Sequence, residues 1–250
     1  MTDNILIETR DAAPHVQVIR LNRPEKKNAI TRAMYARMTD ALYAANADPQ
    51  VRVAAFLGTE GCFSAGNDMA DFLAFAMGGT LGVEILDFLN ALATFEKPLV
   101  SGVDGLAIGI GTTIHMHCDM TIASDRSLFK TPFVDLALVP EAASTLVAPR
   151  LMGHQRAFAL LAAGEPFSAT EAKDCGLVWR VTTPEAVEVE TLAVAAKLAA
   201  KPPEALKIAR DLIRGPRQDI LARIGEEAAH FEAQLRSAEA RAAFQAFMNR

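Results

Sequence analysis

The chain has 250 residues, 51% hydrophobic and 22% charged, with a formal net charge of -5. That composition supplies a packed core and excludes a disordered chain; the acidic balance speaks against nucleic acid or an anionic membrane as partner. No apolar run approaches the roughly 18 residues of a membrane span. Met1-Thr2-Asp3-Asn4 shows no export signal, Phe247-Met248-Asn249-Arg250 carries no organelle address, and Cys62, Cys118 and Cys175 form no CxxC. The expectation is a cytoplasmic protein with reduced thiols.

Ile5 to Thr9 and His15 to Leu21 read as two strands joined by Asp11-Ala12-Ala13-Pro14. A polar loop, Asn22 to Asn28, leads to Thr31, an N-cap for a helix with a Met34, Met38, Leu42, Ala45 stripe that ends at Asp48-Pro49. Val51 to Leu57 is a near-continuous apolar run of strand length, as in a strand buried on both faces. A loop with Gly58, Gly61 and Gly66 follows, and Asp68 can cap a helix through Met77. Gly78-Gly79 ends it, and a second helix is predicted from Leu81 to Phe95. Pro98 to Val103 is another buried strand; a glycine-rich turn to Gly111, a helix to His117 and a strand from Met120 to Ala123 come next. This alternation argues α/β layering through about residue 140. Beyond it helices are predicted at 142–152, 154–163, 168–175, 184–200, 203–214 and 217–247, with one strand at Leu177 to Val181. Ser168 to Glu171 forms a capping box, and Gly176 stops that helix.

Several motifs fail on spacing. The third glycine of a dinucleotide fingerprint would fall on Ile114; there is no Walker A lysine, and Ser64 and Ser101 lack the flanking glycines of a nucleophile elbow. His115 and His117 point in opposite directions if helical, so they read as helix-surface or interface histidines and not a zinc pair. Two glycine-rich turns remain, Phe63 to Asp68 and Leu106 to Gly111, each leaving a strand and entering a helix. Side by side, they would aim two N–H donors at one oxygen; taken singly, each is a plain loop. Glu141, amid apolar and small residues, is either a carboxylate complementing a helix start or a base in an apolar pocket.

In this order, Leu21-Asn22-Arg23-Pro24, Lys27-Asn28-Ala29, Phe63 to Asp68, Lys97-Pro98, Gly105 to Gly111, Cys118-Asp119, Ala123-Ser124, Phe129, Gly164, Gly176-Leu177-Val178 and Lys201-Pro202-Pro203 resemble the enoyl-CoA hydratase/isomerase (crotonase) superfamily. The resemblance implies an α/β fold, a ββα spiral core (residues 1–195) with a helical C-terminal trimerisation region (196–250), assembling as a homotrimer or hexamer. It implies an acyl-CoA thioester whose oxygen accepts the N–H groups of Asn67 and Ile110. The loop with Lys26 and Lys27, the residues Ser64, Ala65, Gly66 and Asp68, and Gly109 would line the coenzyme, although Asp68 also reads as a cap and the lysines as solvated.

The two glutamates that hydratases use would fall on Thr113 and Phe133, neither of which ionises, so water addition lacks its acid and base. Pro140-Glu141 instead matches the single catalytic glutamate of peroxisomal-type 3,2-trans-enoyl-CoA isomerases, as do Ser124-Asp125-Arg126 and Thr131-Pro132-Phe133. On that resemblance Glu141 is the base, moving a proton from C2 to C4 between apolar walls that include Phe133, Leu136, Leu138 and Phe72 or Phe75. Coenzyme A is part of the substrate, and no separate metal or redox cofactor is needed. Another crotonase-type acyl-CoA enzyme, such as a hydratase, or a non-catalytic acyl-CoA binder are the alternatives.

Overall fold

The computed structural model describes residues 3–10, 13–70 and 82–248. Strands β1 (Ile5–Arg10), β2 (Ala13–Leu21), β3 (Val53–Leu57), β5 (Leu99–Val103), β7 (Met120–Ser124) and β10 (Arg180–Thr182) form a six-stranded sheet in the order β1-β2-β3-β5-β7-β10. It is antiparallel at β1–β2 and parallel elsewhere. The run at 53–57 is buried on both faces, as its apolar continuity predicts. Val53, Ala55 and Leu57 pack with Val194, Ala195 and Ala199 of a covering helix, while Ala54 and Phe56 face the main core.

A second sheet was not legible in the sequence. It contains β4 (Cys62–Ser64), β6 (Leu106–Ile108), β8 (Leu128–Lys130) and β9 (Phe167–Ser168), in the order β4-β6-β8-β9. Strands of two or three residues carry no readable alternation. β4 and β6 are parallel neighbours, with Ser64 opposite Ala107. This pairing, between segments some forty residues apart, positions the candidate site.

Helix α1 (Arg32–Ala47) starts at Thr31, whose hydroxyl accepts the Met34 N–H at 3.3 Å, and buries the expected Met34, Met38, Leu42, Ala45 stripe. It packs on α2 (Glu84–Thr94), which is shorter than the predicted 81–95. The helix proposed from Asp68 to Met77, with Phe72, Phe75 and the Gly78-Gly79 break, lies outside the described residues beyond position 70. After β6 comes α3 (Ile110–Thr113), tightening to a 3₁₀ turn over Ile114–His117.

The C-terminal part is helical: α4 (Ser144–Met152), α5 (His154–Leu161), α6 (Ala169–Asp174), α7 (Val187–Ala199), α8 (Pro203–Arg214), α9 (Arg217–Leu235) and α10 (Ala238–Met248). The capping box at Ser168 and Glu171 is present, and Gly176 follows α6 with φ of 85°. Several boundaries differ from expectation. The predicted 217–247 helix is two helices, split at Arg236-Ser237. The stretch from 184 begins as a 3₁₀ turn, Pro184–Ala186. The strand after α6, Arg180–Thr182, begins three residues later than expected and ends one later. The helix predicted from 142 begins at Ser144, which leaves Glu141, Ala142 and Ala143 in a turn. No helix among the described residues is long and apolar enough to cross a membrane.

Candidate active site

The two glycine-rich turns lie against each other. A Cβ on Gly66, where φ is +91°, would stand 2.9 Å from the Ile108 carbonyl oxygen, and one on Gly111 would stand 2.8 Å from that of Ser64. Such contacts leave room only for glycine. Asn67 forms a parallel bridge with Ile30 whose hydrogen bonds run from Ile30 N–H to the Gly66 oxygen (2.8 Å) and from Asp68 N–H to the Ile30 oxygen (2.9 Å). The Asn67 N–H therefore faces away from Ile30. Ile110 is the first residue of α3, after Gly109 in a glycine-only conformation (φ 57°, ψ -122°), so its N–H has no acceptor within the helix. Tyr35, 1% exposed on α1, donates its hydroxyl to the Asn67 side-chain oxygen at 2.5 Å and steadies that turn from behind.

The other expected coenzyme residues are stitched together. Ala65 N–H donates to the Lys27 oxygen (2.8 Å), and the Ser64 hydroxyl donates to the Asn28 oxygen (2.9 Å) while accepting Gly66 N–H (3.0 Å). The Ser64 side chain is thus committed inward, whereas Lys26 and Lys27 are exposed on the 3₁₀ turn Pro24–Lys26 and its left-handed cap. Asp68 pairs with Arg23 at 2.6 Å and accepts Ala70 N–H at 3.0 Å, a helix-start role. Burial raises its pKa, but Arg23 and that N–H together hold it below the ordinary carboxylate range. The Cys62 thiol, pushed up to about 11 chiefly by burial, stays protonated at neutral pH.

Glu141 is 5% exposed, and its Oε1 has no hydrogen-bond partner among the described residues. Burial, then the nearby Glu227, pushes its pKa up to about 8. It lines a cavity of about 270 Å³ with Ile85, Leu86 and Leu89 of α2 and Ile224, Glu227 and Phe231 of α9. Ile110, Phe133, Leu138, Ala142 and Ala143 belong to the main apolar core. Neither Asn67 nor Ile110 lines this cavity. A larger cleft of about 410 Å³ holds none of the expected residues; Arg20 and Arg126 on its wall are paired with Glu188 and Asp104.

Glu141 is not the carboxylate at a helix start. That place belongs to Glu227, whose oxygens accept the Ala143 N–H (2.7 Å), the Thr145 N–H (3.0 Å) and the Thr145 hydroxyl (2.5 Å) at the beginning of α4. The helix terminus is thus satisfied by another residue. Glu227 was missed in the sequence, though it stands in the Ile224, Glu227, Phe231, Leu235 stripe of α9, a carboxylate among apolar positions at helical spacing.

His115 and His117 are buried, not on a helix surface: each is 2% exposed. Burial pushes their pKa values down to about 3 and about 4, so both are neutral. His115 Nδ1 lies 3.0 Å from the Ser101 hydroxyl, and His117 Nε2–H donates to the Ala142 oxygen at 2.7 Å. No group of three metal-ligating side chains occurs among the described residues.

Known proteins share this architecture. A family profile described as enoyl-CoA hydratase/isomerase matches residues 11–250. The chain is 38% identical over 215 residues to enoyl-CoA delta isomerase 2 of Rattus norvegicus, covering 84% of this chain and 54% of that protein, so it spans about half the length of that relative. It is 30% identical over 199 residues to 2,3-dehydroadipyl-CoA hydratase of Escherichia coli (strain K12), covering 80% and 78%. Among solved structures, that of Pseudomonas aeruginosa OdaA matches with a TM-score of 0.93 and 38% identity over 100% of both chains. With its glycine turns side by side on the second sheet, and a profile match over nearly all of its length, the chain belongs to the enoyl-CoA hydratase/isomerase (crotonase) family.

Proposed function

We propose that this chain converts a 3-enoyl-CoA into the trans-2-enoyl-CoA, with Glu141 as the single proton carrier. The observation behind this reading is the buried Glu141 carboxyl, whose Oε1 has no partner among the described residues, on a cavity lined by Ile85, Leu86, Leu89, Ile224 and Phe231; burial pushes its pKa up to about 8. Glu141 takes a proton from C2, the negative charge moves onto the thioester oxygen, and the same carboxyl returns a proton to C4. Asn67 N–H and Ile110 N–H hold that oxygen; one such donor is worth roughly 2.7–4 kcal/mol in acyl-transfer enzymes. Phe133, Leu136 and Leu138 exclude water, while Lys26, Lys27, residues 64–68 and Gly109 flank the coenzyme. The name of the rat relative points the same way.

Hydration is the second reading, favoured by the name of the Escherichia coli relative and by a second carboxyl, Glu227, in the cavity. Both Glu227 oxygens are already occupied by donors from residues 143 and 145, which leaves it poorly placed to activate water. The helices of 196–250 are read as the trimerisation region, consistent with Ile208, Leu212 and Ile213 lying exposed on α8.

A panel of 3-enoyl- and 2-enoyl-CoA substrates followed by absorbance tests the reading. Conjugation of the 3-enoyl substrates is expected, with little loss of enoyl absorbance from the 2-enoyl ones. Glu141→Gln should lower kcat by roughly 10²-fold or more. Rapid hydration, or tight binding with no turnover, would overturn the isomerase assignment.

A further inference from the structure

The turn that carries Glu141 is held in a conformation its sequence does not favour. Ala142 and Ala143 have φ of 64° and 54°, consecutive left-handed residues without a glycine. Such residues persist only where surrounding structure holds them. Two side chains grip this pair from opposite directions along the chain: His117 Nε2–H on the Ala142 oxygen, and the Glu227 carboxylate on the Ala143 N–H. Thr145 adds two more donors to Glu227, and Arg223 Nη1 donates to the Thr145 hydroxyl at 3.1 Å.

The donors are divided unequally between the two acids. Glu227 accepts three hydrogen bonds, whereas Glu141 Oε1 has no partner among the described residues. Burial raises the pKa of both acids, but only Glu227 has donors, from Thr145 and Ala143 with Arg223 nearby, that pull it back down. Of two carboxyl groups that share one space, the one with donors ionises first and the other keeps the proton. Around them stand the neutral His117 behind the turn, Arg223 beside Glu227, and Glu232 on the cavity wall; the α2 residues that line the cavity, Ile85, Leu86 and Leu89, are apolar.

From this geometry we infer that Glu227 is a positioning residue for proton transfer: its carboxylate clamps the strained 141–143 turn so that Glu141 faces the cavity, and its charge keeps the shuttled proton on Glu141. The inference rests on the isomerase reading only for the name of the reaction, because the clamp and the charge act on Glu141 without substrate.

The test compares wild type, Glu227→Gln and Glu227→Asp. The Glu141 carboxyl is titrated by ¹³C NMR of carboxyl-labelled glutamate, with its signal assigned by its loss in Glu141→Gln. The wild-type midpoint is expected near 8. Glu227→Gln removes the charge and should lower it; Glu227→Asp keeps the charge and should leave it near wild type. With 3-enoyl-CoA above that midpoint, both variants should lose roughly 10–100-fold in kcat, as expected for a base displaced by a fraction of an ångström to an ångström, with KM within about threefold. An unchanged midpoint in Glu227→Gln, equally lowered midpoints in both variants, or unchanged kcat in both would overturn the inference. A purely structural role would lower the melting temperature and leave the two midpoints alike. Failure of the isomerase reading would show separately, as a wild type without turnover, while the titration still decides the role of Glu227.

Discussion

Glu141 combines two opposed properties. Its pKa is raised from the ordinary 4.5 to about 8, so between these values the folded chain holds a proton that the unfolded chain has released. The stability contributed by this group is fully present below about 4.5 and is lost as pH rises through about 8. Glu141→Gln, which stays neutral, should therefore gain in melting temperature over wild type as pH rises from 5 to 8, with the difference levelling off above that. Thermal unfolding across this range checks it; a difference independent of pH would mean that Glu141 is ionised throughout. The same residue gives the activity its expected pH dependence. A base must be ionised to accept a proton, so kcat/KM should rise with pH through about 8.

At the scale of elements, the decisive feature is the contact between the turns after β4 and β6. Gly66→Ala would place a methyl group 2.9 Å from the Ile108 oxygen, in a left-handed conformation that itself costs about 1–2 kcal/mol. Separation of the turns would misplace the Asn67 and Ile110 N–H groups, and a tenfold or larger fall in kcat/KM is expected. Gly61→Ala is the control: φ is +73°, but a Cβ there meets nothing within 4 Å. It should lose stability through the backbone alone and keep kcat/KM. Equal catalytic losses in the two variants would show that turn contact is not what matters. Helix α9 is the second such element, since it carries Glu227 across the molecule to the start of α4.

Across the whole molecule, folding buries two neutral histidines, His115 and His117, each 2% exposed. Their folded pKa values, about 3 and about 4, lie below the ordinary 6.5. In that interval the unfolded chain binds protons that the folded chain refuses, so stability falls as pH drops from about 6.5 toward 4. This runs opposite to the Glu141 effect, and the two are separated by differences between each variant and wild type. His117→Gln keeps a donor for the Ala142 oxygen and should flatten the acid side of the melting curve. An acid side as steep as wild type would assign the loss to other groups.

Much of this protein could be read from local patterns. The Thr31 cap, the α1 stripe and the Ser168 capping box each depend on residues within a few positions of one another and stand in the structure as read, and the run read at 51–57 forms a doubly buried strand from Val53 to Leu57. The glycines of both turns were visible for the same reason: a backbone conformation belongs to its own residue. What no window of sequence contains is distance between remote segments. The second sheet joins strands too short to show a period, His115 is enclosed by Phe63, Ser101 and Phe129, and His117 meets the Ala142 oxygen 25 positions on. The partnership of Glu141 with Glu227 spans 86 positions and exists only because α9 packs over the turn at 141–143. A buried carboxyl group takes its proton affinity from whatever tertiary folding brings within a few ångströms, so the chemistry of Glu141 was decided in three dimensions.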